Sequence, residues 1–190
     1  QAIIIFKLKL IADIGLLGMP NAGKSTFLAS TSNAKPKIAD YPFTTLVPNL
    51  GVVKIDNSEL IIADIPGLIK GASSGKGIGD KFLSHIERSS ILIHIIDCTS
   101  ENIVEDYKIV INELELFSEI LSSKPKLTVL NKIDAIESTD LKEKIELLSK
   151  ESGSDIYCIS GISKEGVSSV LRSLQKIIAK NKVFSHKKDS

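Results

Sequence analysis

The sequence predicts an α/β domain: a mostly parallel six-stranded sheet with helices on both faces. Three observations predict it. Short apolar runs alternate with stretches of helical periodicity along the chain. Several of the runs are continuously apolar, as in Ile91-Leu92-Ile93 and Ile95-Ile96, which suits strands covered on both faces. And the first apolar run leads straight into Gly18-Met19-Pro20-Asn21-Ala22-Gly23-Lys24-Ser25, a glycine-rich loop that opens a helical segment.

The expected strands are 13–18, 51–55, 60–64, 91–97, 127–131 and 156–160. The clearest helix is the last. Val167, Val170, Leu171, Leu174, Ile177 and Ile178 recur at i, i+3, i+4 and i+7, with Lys164, Glu165, Arg172 and Lys176 on the other side. A helix over about 103–121 turns Tyr107, Val110, Ile111 and Leu114 inward, and another covers about 139–150. Shorter helices are expected after Lys24 and after Gly79. Repeated β–α units imply right-handed parallel crossovers. Two stretches read as loops: 34–48, interrupted by Pro36, Pro42 and Pro48, and 67–80, rich in glycine. Long loops inside a compact domain are usually functional. Gly75-Lys76-Gly77-Ile78-Gly79 lies inside the second loop and not at a first βα turn, so it is flexible-loop glycine and not a dinucleotide box.

Composition sets the outer bounds. With 190 residues the chain is one domain's worth. We expect a leader at 1–10, the globular domain at 11–181 and a flexible tail at 182–190. Its 24 Lys+Arg balance 23 Asp+Glu, for a net charge of +1, which gives no whole-chain argument for nucleic acid or membrane. The apolar start, Ala2 to Phe6, is broken early by Lys7 and Lys9, so it does not make a membrane span. Cys98 and Cys158 lack metal-ligand spacing and read as buried thiols.

The motifs carry the chemistry. In the segment Gly18–Thr26 the glycines let successive N–H groups curl around an anion, and the following helix aims its positive end at the same place. Lys24 supplies a cation for β- and γ-phosphates, and Ser25 a hydroxyl for Mg²⁺. Asp64-Ile65-Pro66-Gly67 follows the run 60–63. The acid at a strand end is placed to hold Mg²⁺, and Gly67 can bring its N–H against a γ-phosphate. Asn131-Lys132-Ile133-Asp134 follows another strand. A carboxylate at Asp134 can accept both donors on the guanine edge, which adenine lacks. Asn131 can donate toward the base and tie loops together, and the Lys132 stem can lie along the purine face. The bland alternative for Asp134 is a helix N-cap. Ser160-Gly161-Ile162 would complete the pocket with backbone N–H toward the guanine oxygen. Thr44 or Thr45, in the Pro-rich loop, can reach Mg²⁺ when a γ-phosphate is present. The residues themselves do not choose between these two.

The segment from Pro20 to Thr26, the stretch from Ala34 to Gly51 with Tyr41-Pro42-Phe43-Thr44-Thr45-Leu46-Val47-Pro48, then Asp64 to Ile69 and His85-Ile86-Glu87-Arg88, resemble the Obg (CgtA) family of GTPases. The resemblance covers about residues 8–180. It implies a Ras-like G domain with one antiparallel edge strand, and it favours Thr45 as the Mg²⁺ ligand. It places Lys24, Thr45, Gly67 and Asn21 at the reaction and 43–47 against the nucleotide. It implies GTP and GDP as ligands and a slow GTP hydrolase. The implied partner is the large ribosomal subunit or its assembly intermediates, and the setting the cytoplasm or a bacterial-type organelle. The isolated domain is expected to be monomeric, and the resemblance implies that the leader at 1–10 is the remnant of a link to an upstream domain. Gly161 stands where the family usually has Ala. Leu68-Ile69 stand where many GTPases keep a water-orienting Gln, so a potassium ion held by Asn21 is expected to take up part of the stabilisation. The alternative is a guanine-nucleotide sensor with negligible hydrolysis.

Overall fold

A computed structural model describes residues 12–33, 37–38, 49–56, 58–64 and 86–186. In chain order the elements are β1 Ile14–Leu17, α1 Lys24–Thr31, β2 Lys37–Ile38, β3 Asn49–Ile55, β4 Ser58–Asp64, β5 Ile91–Asp97, α2 Ile103–Phe117, α3 Glu119–Ser122, β6 Lys126–Asn131, a 3₁₀ turn Ile133–Ala135, α4 Ser138–Ser152, β7 Ile156–Ile159 and α5 Val167–His186. They build one sheet in the order β2-β3-β4-β1-β5-β6-β7. From β4 to β7 every neighbouring pair is parallel, whereas β3 runs antiparallel to β4 and β2 antiparallel to β3.

All six expected strands form. Three details differ from expectation. The two residues of β2 add a seventh strand inside the Pro-rich stretch, at the sheet edge, where a proline-flanked segment is tolerated. The antiparallel β3 is therefore one place in from the edge. The single helix expected over 103–121 breaks at Ser118, whose extended backbone (φ −159°) ends α2. The Ser118 hydroxyl then caps α3 by accepting from the Leu121 N–H at 3.2 Å, while donating to Glu87 Oε1 at 2.7 Å. α5 continues through His186, into the stretch expected as tail.

Burial follows the period of each strand. All of β5 except Asp97 is buried, as is all of β1, because helices cover both faces there. β3 alternates buried and exposed along Gly51–Ile55, with one face toward solvent. Ile14, Leu16, Phe27, Ile62, Ile93, Ile95 and Val129 form the core under α1 and α5, joined by Val170, Leu174 and Ile178. On the opposite face Leu17, Ala63 and Leu92 meet Val110 and Leu114 of α2. Further along that face Ile96 and Leu130 meet Ile103 and Leu148. His94 sits in this second layer, its ring stacked on Tyr107 at 5.1 Å. Burial, with Lys126 and Lys24 adding to it, pushes the imidazole down to about 3, so His94 is neutral. Cys98 is buried and Cys158 half-buried, both as free thiols.

The chain leaves β1 toward β3 and β4 on one side and β5 on the other. The strand order reverses there, and in open α/β sheets ligands bind at the strand ends beside such a reversal. Gly18 leaves β1 at that point. Among the described residues no helix is long and apolar enough to cross a membrane.

Candidate functional site

The loop from Gly18 to Gly23 is shaped by backbone that side chains would forbid. Gly18 has φ 146°, and a Cβ there would stand 2.2 Å from the Ile95 carbonyl oxygen. Gly23 has φ 96°, and its Cβ would stand 2.1 Å from Asn131 Nδ2. Between them Asn21 adopts the left-handed conformation (φ 66°), which Asn tolerates, and the Ala22 N–H closes a turn onto the Met19 carbonyl at 3.2 Å. Gly23 is the N-cap of α1 and makes no side-chain cap, so the first N–H groups of that helix face the loop's concavity without a capping side chain. Lys24 folds back over the loop, its Nζ donating to the carbonyls of Gly18 at 2.8 Å and Met19 at 3.0 Å. Burial lowers the pKa of the ammonium, and the charge of Asp64 works in the opposite direction.

Asp64 ends β4 on the other side of the loop. Ser25 Oγ donates to its Oδ2 at 3.1 Å, so the hydroxyl and the acid expected to share a metal meet across 39 residues of sequence. Asp64 is 6% exposed, and its Oδ1 has no partner among the described residues. Burial pushes this carboxyl upward, more than Lys24 and the Ser25 hydroxyl hold it down. A buried, under-satisfied carboxylate beside a hydroxyl and an anion-binding loop fits a hard oxygen-seeking cation such as Mg²⁺. No cluster of three or more His, Cys, Asp or Glu occurs among the described residues. A Mg²⁺ site completed by phosphate oxygens and waters does not need one.

The third face of the loop is Asn131, the last residue of β6 and 2% exposed. Its Nδ2 donates to the Ala22 carbonyl at 2.9 Å, and its Oδ1 accepts from the Gly161 N–H at 3.0 Å. The loop-tying half of its expected role is thus visible. Both ends of the amide are occupied within the protein. Within the 160–162 segment, expected to turn backbone N–H toward a guanine oxygen, the Gly161 N–H is the one bonded to Asn131. Ser160 is fully buried and its hydroxyl accepts from the Ser163 N–H at 3.0 Å, while Ile162 is 79% exposed.

Lys132 takes a left-handed conformation (φ 69°) and starts the 3₁₀ turn that carries Ile133 and Asp134. Asp134 is exposed in that turn. It is not the N-cap of α4: Glu137 holds that position, without a side-chain cap bond. The Lys132 ammonium is paired with Asp97, the last residue of β5. The sequence reading does not single out Asp97. The signal is there, an acid closing an otherwise apolar strand, but its partner in an adjacent strand cannot be read from spacing.

Phe43, Thr44, Thr45, Leu46, Val47, Ile65, Pro66 and Gly67 lie outside the described residues, as do Leu68 and Ile69. The choice between Thr44 and Thr45 lies there with them.

Comparison with known proteins meets this geometry. A family model described as 50S ribosome-binding GTPase matches residues 13–132. The GTPase Obg of Rickettsia bellii is 57% identical over 165 residues, covering 87% of this chain and 50% of that protein. The GTPase Obg of Ehrlichia canis is 57% identical over 157 residues, covering 83% and 46% respectively. The chain thus spans about half the length of these curated relatives. Among solved structures, the G domain of the T. maritima FeoB iron transporter superposes with a TM-score of 0.63, covering 90% of this chain and 98% of that one. At 21% identity that likeness speaks to the fold alone.

Proposed function

The chain belongs to the family of 50S ribosome-binding GTPases, and from that premise we propose that it binds GTP and GDP with Mg²⁺ and hydrolyses GTP as a molecular switch. One observation carries the reading. Asn131 joins the phosphate loop to the loop after β7, so a ligand with phosphates at one end and a purine at the other spans one continuous site.

The roles follow from chemistry. The N–H groups of the Gly18–Gly23 loop and of the start of α1 surround the phosphates. Lys24 exchanges two carbonyl partners for β- and γ-phosphate oxygens. Ser25 and Asp64, already in contact, would hold Mg²⁺, and Thr45 would be a further ligand to it when a γ-phosphate is present. Mg²⁺ held there would supply positive charge against the phosphoryl group as it is transferred. Gly67 offers its N–H to the γ-phosphate. The Asp134 carboxylate accepts from guanine N1 and N2, and the Lys132 stem lies along the purine. Asn21, left-handed and exposed, offers its side-chain oxygen to a potassium ion against the phosphates. The partner we propose is the large ribosomal subunit or its assembly intermediates, as the family description and the Obg relatives suggest.

Binding of fluorescent GDP and GTP, in competition with ATP and with Mg²⁺ present or chelated, tests the ligand. Guanine nucleotides should win, and chelation should weaken them. Asp134→Asn should shift preference to xanthosine nucleotides, with a loss of guanine affinity of about 1–3 kcal/mol. Single-turnover hydrolysis in KCl and NaCl at equal ionic strength tests catalysis. Turnover faster in KCl, with the difference erased by Asn21→Ala, supports the potassium role. Tight GTP binding without turnover in either salt would leave a nucleotide sensor as the function.

A further inference from the structure

The guanine-reading turn depends on a residue in an unfavourable backbone conformation. Lys132 is not glycine, yet it sits at φ 69°. Its carbonyl accepts from the Ala135 N–H at 2.9 Å, closing the turn that presents Asp134. Left-handed backbone in an L-residue persists only where its surroundings hold it.

Those surroundings include a carboxylate whose two oxygens are divided between two partners. Asp97 Oδ1 accepts from the Thr99 N–H at 2.9 Å and from the Thr99 hydroxyl at 2.7 Å, while Oδ2 pairs with the Lys132 ammonium. Asp97 is itself fixed in place. It lies opposite Asn131 in the β5–β6 register, and the next N–H, of Cys98, donates to the Asn131 carbonyl at 2.9 Å. Lys144 of α4 donates to the Ser100 carbonyl at 2.5 Å, holding the loop from the far side. Burial works against the charged carboxylate, but the bonds from Lys132 and Thr99 outweigh it and hold Asp97 below the usual carboxylate range.

We propose that Asp97 is a positioning residue for guanine recognition: it anchors the Lys132 stem along the purine face and thereby sets the turn that aims Asp134. This rests on the base-site reading above. Thr99 fixes where the carboxylate stands, and the carboxylate fixes where the lysine stem runs. The lysine then reaches the base pocket already ordered, so binding loses less side-chain freedom.

The test is a double-mutant cycle on GDP binding, with Asp97→Asn, Lys132→Met and the pair combined. Asp97→Asn keeps an oxygen for Thr99 and removes the charge from Lys132. It should weaken GDP about three- to tenfold, the scale of a partly exposed charge-assisted bond. In the Lys132→Met background the same change should cost nothing further. A merely structural Asp97 would weaken binding equally in both backgrounds. That result, unchanged affinity, or tighter binding from releasing the lysine would each overturn the proposal. Asp134→Asn runs beside them as a control. If it fails to exchange guanine for xanthine preference, the base-site reading is what has failed, whatever Asp97 does.

Discussion

The two ends of the site are built on opposite principles. At the base end, Asn131 is neutral, buried and bonded to the protein at both ends of its amide. At the phosphate end, Lys24 and Asp64 are charged groups shifted against their charges by burial, and Asp64 keeps an oxygen without a partner among the described residues. The first arrangement stabilises the fold whether or not a ligand is present. The second costs stability, which phosphates and a cation bound at the proposed site would offset. In the proposed site the part assigned to the base is held by hydrogen bonds within the protein, while the part assigned to the phosphates would be compensated by the ligand.

The largest effect should come where the two ends touch. Gly23→Ala would drive a methyl onto Asn131 Nδ2 in a backbone conformation unsuited to it. We expect a loss of about 3 kcal/mol or more in chemical denaturation, together with nucleotide binding. Near-wild-type stability would mean the two ends are less tightly joined than the distance states.

Asn131→Ala should come next. It strips partners from the Ala22 carbonyl and the Gly161 N–H, and urea unfolding of the ligand-free protein should register about 1–3 kcal/mol. Asp64→Asn should do the reverse. Ligand-free stability should hold or rise, because a buried charge has gone, while Mg²⁺-dependent tightening of GTP binding disappears in calorimetric titration. The pH dependence sharpens the contrast. With its folded-state carboxyl raised, Asp64 binds protons more readily in the native chain than in the unfolded one. Between the ordinary carboxylate range and the raised value, stability should therefore fall as pH climbs. The Asn variant should lack that component. A clear loss of ligand-free stability in Asp64→Asn would break the comparison.

Gly161→Ala should be the smallest. A Cβ there meets Thr26 Cγ2 at 3.3 Å and Asn131 Oδ1 at 3.5 Å, and no positive φ stands in the way. The reduced freedom of the unfolded chain offsets the slight crowding, so thermal melting should place the change within about 0.5 kcal/mol. GDP affinity should stay within about twofold, a few tenths of a kcal/mol.

The sequence by itself determined the strands, the helix faces and the phosphate loop. Those are local: β5 is apolar at consecutive positions, the α5 residues repeat at helical spacing, and the loop glycines stand at fixed offsets. Its motifs also picked out Ser25, Asp64 and Asn131, which the fold brings together around the phosphate loop. Contacts between distant segments were decided only by tertiary structure. The Ser118 hydroxyl at the helix break meets Glu87, a partner 31 residues away in sequence. The commitment of Gly161 to Asn131 depends on β6 and β7 being neighbours in the sheet. The pairing of Asp97 with Lys132 depends on β5 and β6 ending level, a register that neither strand encodes alone. Periodicity records which face a residue turns inward. Which polar group it meets there is set by strand order and register, and those emerge only when the whole sheet is assembled.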